Sequence, residues 1–373
     1  MKRRQFVTLM GAAAAVPFGV DQAKQPASGS ASKKTTPSTA RAKMHVGCQR
    51  SPTDPKMLAN FKRHAVDHIC GYPVKAQDPT GYTVDALKQL RELCDSNGVA
   101  LDMIQFPLMA SSSIDATDRK GIMLAKEPDR QQDIDQACEI IKNAAAAGIP
   151  AIKYNMTLLG VLRTGTTPGR GGTRYSTWKL AEAKQDSLTP AGAVNADQMW
   201  ERITYFLERV VPVANEYKVR LACHPHDPGV PAAGFRGIVR VLGTPDGLKR
   251  FVSIKESPYH GLNLCLGTVA EMLQDPNREI HDVIRYFGQR KKIFNIHFRN
   301  IKGHRDDFYE TFPDEGDVDM AAVMRTLRDV EYPYMVMPDH MPRHADDDGQ
   351  HQAFAFGYGY IRALIQAVNG ERA

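Results

Sequence analysis

From Met44 onward, short apolar or β-branched runs alternate with longer stretches whose apolar residues recur at the helical period. Eight such runs stand out: MHVGCQ (44–49), AVDHIC (65–70), VALDMIQF (99–106), PAIKYN (150–155), VRLACH (219–224), GLNLCLG (261–267), KIFNIHF (292–298) and YMVMPD (334–339). Helical periodicity follows most of them, over Val84–Asn97, Arg130–Ala146, Ala196–Glu216, Val269–Phe287, Asp319–Asp329 and Gln352–Val368. This order predicts an α/β protein built as a closed (β/α)₈ barrel. An open doubly wound sheet would normally carry a Gly-rich turn after its first strand, and none is present.

One interruption breaks the rhythm, between the fourth strand and its helix, over residues 156–195. It contains RTGTTPGRGGTRYSTW, rich in Gly, Thr and Arg, and predicts a mobile, hydrogen-bonding loop over a polar ligand. No Gly-Lys-Ser/Thr ends it, so it is not a phosphate-binding Walker loop.

Composition narrows the class. With 373 residues, 42% hydrophobic and 24% charged, the chain can bury a large core, and no apolar run is long enough to span a bilayer. The net charge of +6 would invite a nucleic-acid reading, but residues 1–43 hold eight basic side chains against Asp21 alone. The remaining body is close to neutral, which gives no case for binding a phosphate backbone. That basic head has the layout of an export signal within residues 1–30: a positive Met1–Arg4, then an apolar Phe6–Val20. The pair Arg3-Arg4 before Gln5-Phe6-Val7 resembles a bacterial twin-arginine leader, which implies the twin-arginine export machinery as a partner and a periplasmic or otherwise exported destination. Residues 31–43 read as a flexible linker, and 44–373 as the barrel. The six cysteines show no CxxC pair and no small-domain disulfide framework.

In a (β/α)₈ barrel, catalytic groups project from the C-terminal ends of the strands. The fifth run ends in His224, the sixth carries Cys265, the seventh His297 and the eighth Asp339. Two imidazoles, a thiolate and a carboxylate on neighbouring strands can converge on one ion, since parallel strands lie about 4.8 Å apart. This donor set suits a first-row divalent metal and disfavours magnesium, but it does not separate Mn²⁺, Fe²⁺ and Zn²⁺. Each residue alone has a plainer reading, His224 as a turn histidine and Cys265 as packing. His226 and Asp227 lie beyond their strand in a Pro-bounded turn, and Cys223 should face away from His224.

The segments HPHDP (224–228), GFRGIVR (234–240), LNLCLG (262–267), NIHFRN (295–300), PDEGDVDM (313–320), PDH (338–340) and GYG (357–359) resemble, in order, the metal-dependent mannonate dehydratases, a family with a xylose-isomerase-like barrel. The resemblance is strong over residues 219–364. It implies metal ligation by His224, Cys265, His297 and Asp339, acid/base roles for His340 and Tyr358, and removal of water from a six-carbon sugar acid. Arg236 and Arg299 are then candidates for gripping the substrate carboxylate, with Asn155 and Arg163 also substrate-facing. The first half departs from the family. Its Trp-Tyr segment at the first strand and Pro-Val-His-Glu segment after the third are replaced by VGCQRSPTDP (46–55) and IQFPLMASSS (104–113), and Met341 stands where the family has glycine.

Two other readings stay open at this point. One is an exported metal-dependent isomerase, epimerase or eliminase of keto-sugars, favoured by the missing first-half motifs. The other is a non-catalytic, metal-stabilised carbohydrate-binding protein. The residues do not decide whether the chain forms a homo-oligomer.

Overall fold

The computed structural model of the protein describes residues 41–73, 82–185 and 187–371, so the expected export signal and all but the end of the linker lie outside the described residues. Among the described residues the strands are β1 (His45–Cys48), β2 (His68–Gly71), β3 (Ala100–Gln105), β4 (Ala151–Asn155), β5 (Gly165–Pro168), β6 (Arg174–Lys179), β7 (Arg220–His224), β8 (His260–Cys265), β9 (Ile293–His297), β10 (Asn300–His304), β11 (Asp307–Thr311) and β12 (Met335–Met337). The helices are α1 (Pro55–Arg63), α2 (Val84–Ser96), α3 (Gly121–Leu124), α4 (Asp129–Ala146), α5 (Ala196–Tyr217), α6 (Pro245–Ser253), α7 (Leu266–Met272), α8 (Pro276–Gln289), α9 (Met320–Asp329) and α10 (His351–Gly370). None of them is long and apolar enough to cross a membrane.

Eight parallel strands close in the order β1-β12-β9-β8-β7-β4-β3-β2, the (β/α)₈ barrel that the hydrophobic pattern predicts. Helix starts follow from local chemistry. Asp54, Thr244 and Asp275 each accept a hydrogen bond from a first-turn amide, and each is followed by the proline that opens its helix. Asn195 and Gln198 form a reciprocal capping box at the start of α5. The same chemistry corrects one expectation: the helix predicted over Val269–Phe287 is two, α7 and α8. Asp275 caps the second, and Pro276 cannot continue the first.

The core lies between barrel and helices, where Phe61, Phe206, Phe251 and Phe287 are fully buried. A smaller apolar plug of Cys70, Met103, Ala151, Ala222, Phe294, Met335 and Met337 packs as a separate cluster.

Within the segment 156–195, residues 165–179 form two strands where composition predicts a loop. β5 pairs with β6, β6 with β11, and β11 with β10, forming a four-stranded antiparallel sheet. Trp178 is buried edge-on to Phe235, Tyr175 stacks on Tyr309, and Arg170 clasps both carboxylate oxygens of Asp314 at 2.6 and 3.0 Å. Aromatic packing and a bidentate ion pair fix what glycine and threonine alone would leave loose.

Candidate metal centre

Strand register brings the donors together. Asn155 pairs with His224 across β4 and β7, Cys265 with His297 across β8 and β9, and Met337 with His297 across β12 and β9. Asp339 lies two residues past Met337. The ligand atoms of His224, Cys265, His297 and Asp339 all lie within 4.8 Å of one another. His297 Nδ1 stands 3.1 Å from Asp339 Oδ1, and Cys265 Sγ 3.5 Å from Asp339 Oδ2. The His224 and His297 ring centroids are 5.2 Å apart. Cys223 instead sits in the core between barrel and helices, on the other face of β7.

These residues fit a metal. His224 Nδ1 donates to the Pro225 carbonyl at 2.7 Å, which fixes the tautomer and leaves Nε2 as the ligating nitrogen. His297 Nε2 is 3.3 Å from the Asn263 amide, while its buried Nδ1 has no hydrogen-bond partner. An orphaned buried imidazole nitrogen facing a carboxylate is costly unless an ion or water completes it. Burial pushes the Cys265 thiol up and holds both imidazoles below their usual range, so without an ion the four donors are poorly solvated.

A cavity of about 520 Å³ opens over the cluster, and His224, His297, Asp339 and His340 line it. His340 Nδ1 donates to Glu310 Oε1 at 2.7 Å. Burial lowers the pKa of His340, but Asp339 and Glu310 outweigh it and hold the imidazole above its ordinary value.

Behind this wall lies a buried charge network. Arg299, with no exposed side-chain surface, reaches Asp227 at 2.8 Å, Glu271 at 2.9 Å and Glu310 at 3.0 Å. Arg163 binds Asp227 at 2.8 Å and also Glu310. Burial raises Asp227, but the two guanidiniums overcome it and hold the carboxyl well below its usual range. Burial and the Asp227 charge push Glu271 the other way, well above. Gly267 on α7 has to be glycine for this arrangement, because a Cβ there would collide with Arg299.

Several expectations need correction. Arg299, expected to grip the substrate carboxylate, does not line the cavity, and its terminal nitrogens pair with Asp227, Glu271 and Glu310. Arg236 also stands apart from the cavity, donating to the Ser187 carbonyl at 2.7 Å. Tyr358 is buried on α10 with its hydroxyl 2.8 Å from Cys48 Sγ, and is not among the lining residues. Asn155 and Arg163 do line the cavity, though the terminal nitrogens of Arg163 are committed to acids. His226 is structural, its Nε2 donating to the Met156 carbonyl at 2.7 Å.

Sequence reasoning missed Asp227, Glu271 and Glu310 as partners of the arginines, because they come from three separate segments. It also missed Lys153. The available signal was a lysine inside the apolar run PAIKYN, two residues before Asn155 and therefore on the same inward face.

The eight-stranded barrel is of the xylose-isomerase-like kind, and it carries a His₂CysAsp cluster at its C-terminal rim. A xylose isomerase domain protein from Planctomyces limnophilus shares the fold, with a TM-score of 0.55 over 89% of this chain and 100% of that one at 14% identity. The crystal structure of mannonate dehydratase from Streptococcus suis serotype 2 superposes with a TM-score of 0.74 over 88% of this chain and 94% of that one, at 24% identity. The mannonate dehydratase of Thermotoga neapolitana is 28% identical over 296 residues, 69% of this chain and 78% of that protein. The family model for D-mannonate dehydratase (UxuA) matches residues 172–370, and the chain belongs to that family of hydro-lyases. The match begins at residue 172, shortly before the midpoint of the chain.

Proposed function

We propose that the protein is a metal-dependent hydro-lyase converting D-mannonate to 2-keto-3-deoxy-gluconate. The observation that carries this reading is the convergence of His224, Cys265, His297 and Asp339 beside His340 in one cavity, in a chain of this family. Elimination requires a proton to leave the carbon next to the carboxylate and another to reach the departing β-hydroxyl. An ion held by the four donors supplies Lewis acidity toward the carboxylate or 2-hydroxyl oxygen. His340 is the lining group that moves the proton. Glu310 orients its ring through Nδ1 and leaves Nε2 to the cavity. The network of Arg163 and Arg299 holds Glu310 and Asp339 in place, so the arginines position the site through these carboxylates.

The test is an assay of the metal-loaded protein against aldonic acids and keto-sugars, read by a colorimetric probe for 2-keto-3-deoxy acids. Formation of a 2-keto-3-deoxy acid from D-mannonate is the expected result. Conversion of a keto-sugar with no aldonic acid consumed would replace it with the isomerase or epimerase reading. Metal analysis of the purified protein decides among Mn²⁺, Fe²⁺ and Zn²⁺, of which Mn²⁺ or Fe²⁺ is the expected occupant.

The same proposal includes export. The Arg3-Arg4 pair directs the folded chain through the twin-arginine route. Replacing both by lysine should retain the protein in the cytoplasm, and efficient export of that variant would refute the route.

A further inference from the structure

The cavity has a second chemical character beside the metal donors. Lys153 on β4 faces inward, only 7% exposed, and lines the cavity. Its Nζ donates to Gln49 Oε1 at 2.9 Å. The Gln49 amide in turn donates to Tyr72 Oη at 2.8 Å and to Gln105 Oε1 at 3.1 Å. An amide, a phenol and a second amide thus brace the ammonium, and all of them are neutral. Among the described residues no carboxylate forms an ion pair with Lys153, whereas Arg163 and Arg299 are each paired with two or more acids.

Burying an ammonium without a counter-charge costs several kcal/mol. Burial accordingly pulls the Lys153 pKa below the ordinary lysine value, with Asp339 and Cys265 only partly opposing it. If the four donors hold a divalent ion, one thiolate and one carboxylate neutralise it, and the ammonium remains as surplus positive charge. A single negative charge on the ligand would restore balance. The brace comes from Gln49, Tyr72 and Gln105, in and around the first-half segments where this chain departs from its family's pattern.

We propose that Lys153, held by Gln49, forms an anion subsite that binds the carboxylate of a sugar acid and selects acids over neutral sugars. This assignment rests on the sugar-acid reading above. It passes the role expected of Arg236 and Arg299 to a residue that lies in the cavity. Arg50 and Arg343 also line the cavity and are its other cations free of acidic partners among the described residues, but neither is buried.

The experiment measures dissociation constants by calorimetry for D-mannonate and for D-mannitol, which carries CH₂OH in place of the carboxylate. It uses Mn²⁺-loaded protein in a His340→Asn background, where turnover does not interfere. Lys153→Met should weaken D-mannonate by roughly 10- to 100-fold, the range for a hydrogen bond to a charged group, and leave D-mannitol within about twofold. Gln49→Glu, which places a carboxylate on the ammonium, should do the same with Lys153 intact. Lys153→Met should melt no lower than its parent, because it removes a buried uncompensated charge. The subsite is overturned if both variants keep the parental acid-to-polyol ratio, if Arg50→Met alone abolishes it, or if the parent does not bind D-mannonate. Discrimination through Lys153 in an enzyme that dehydrates no aldonic acid would keep the subsite and sink the reaction. Dehydration of D-mannonate with an unchanged Lys153→Met affinity would do the reverse.

Discussion

His340 Nδ1 lies 2.7 Å from Glu310 Oε1, and Glu310 is itself tied to Arg299 at 3.0 Å. The imidazole that faces the cavity is therefore aimed by a carboxylate that cannot swing away. His340→Asn nearly preserves shape but cannot shuttle a proton, so kcat should fall on the order of 10²-fold or more. Glu310→Gln keeps the contact without the charge and should lower kcat by a smaller factor, on the order of 10-fold. Steady-state kinetics decide the matter. Near-parental kcat with only KM raised in His340→Asn would reduce the histidine to a binding group.

Tyr358 gives a contrasting expectation. Its hydroxyl meets the Cys48 thiol inside the protein and also Arg50, so Tyr358→Phe removes buried hydrogen bonding to these two groups and leaves the ring packing intact. Stability should drop by about 1 kcal/mol while kcat stays within about threefold. A loss of 10²-fold or more in kcat at unchanged melting temperature would return the tyrosine to the acid/base role that the family resemblance implies.

The metal donors make a prediction readable without turnover. The chain should bind one divalent ion per molecule, and His297→Ala should lose that stoichiometry in elemental analysis after dialysis. Cys265→Ser should retain the ion more weakly, since a hydroxyl is a poorer ligand than a thiolate at neutral pH. Chelation should lower the melting temperature of the parent and hardly affect that of His297→Ala. A full equivalent of tightly held metal in His297→Ala would contradict the assigned ligand set.

What the sequence revealed and what it hid divide along a physical line. The eight barrel strands are short apolar runs bounded by turns, and their rim residues could be read by position: His224, Cys265 and His297 end or nearly end their strands, and Asp339 follows the last one. The sheet over residues 165–179 was hidden because its strands are polar and glycine-rich. They become strands only by pairing with Asp307–Thr311, far along the chain. Arg299 read as a substrate grip because one sequence shows a charge but not its partners. Asp227, Glu271 and Glu310 become its neighbours only when the barrel closes. Lys153 was overlooked for the opposite reason, since an apolar run masked the one charged side chain within it.

A last prediction concerns acid stability and His260, at the start of β8. The residue is fully buried, its Nε2 donates to the Phe251 carbonyl at 2.9 Å, and its ring sits edge-on to Phe251 at 4.7 Å. Burial holds its pKa down to about 4, although the Phe251 carbonyl favours the charged ring. In the unfolded chain the same group titrates near 6.5. Between those values the unfolded chain binds a proton that the folded chain refuses. The His260 contribution is therefore complete above pH 6.5 and is lost as pH falls toward about 4. His226, held down to about 3 by burial, steepens the same limb. His260→Gln keeps an N–H donor for the Phe251 carbonyl but does not titrate. At pH 7 it should be less stable than the parent by about 1–2 kcal/mol, from lost packing. On acidification to pH 4.5 the parent should lose about 2–3 kcal/mol more than the variant, so the gap closes or reverses. Urea denaturation of both proteins at matched metal content measures this, and parallel stability curves from pH 7 to 4.5 would show that His260 is not a source of acid lability.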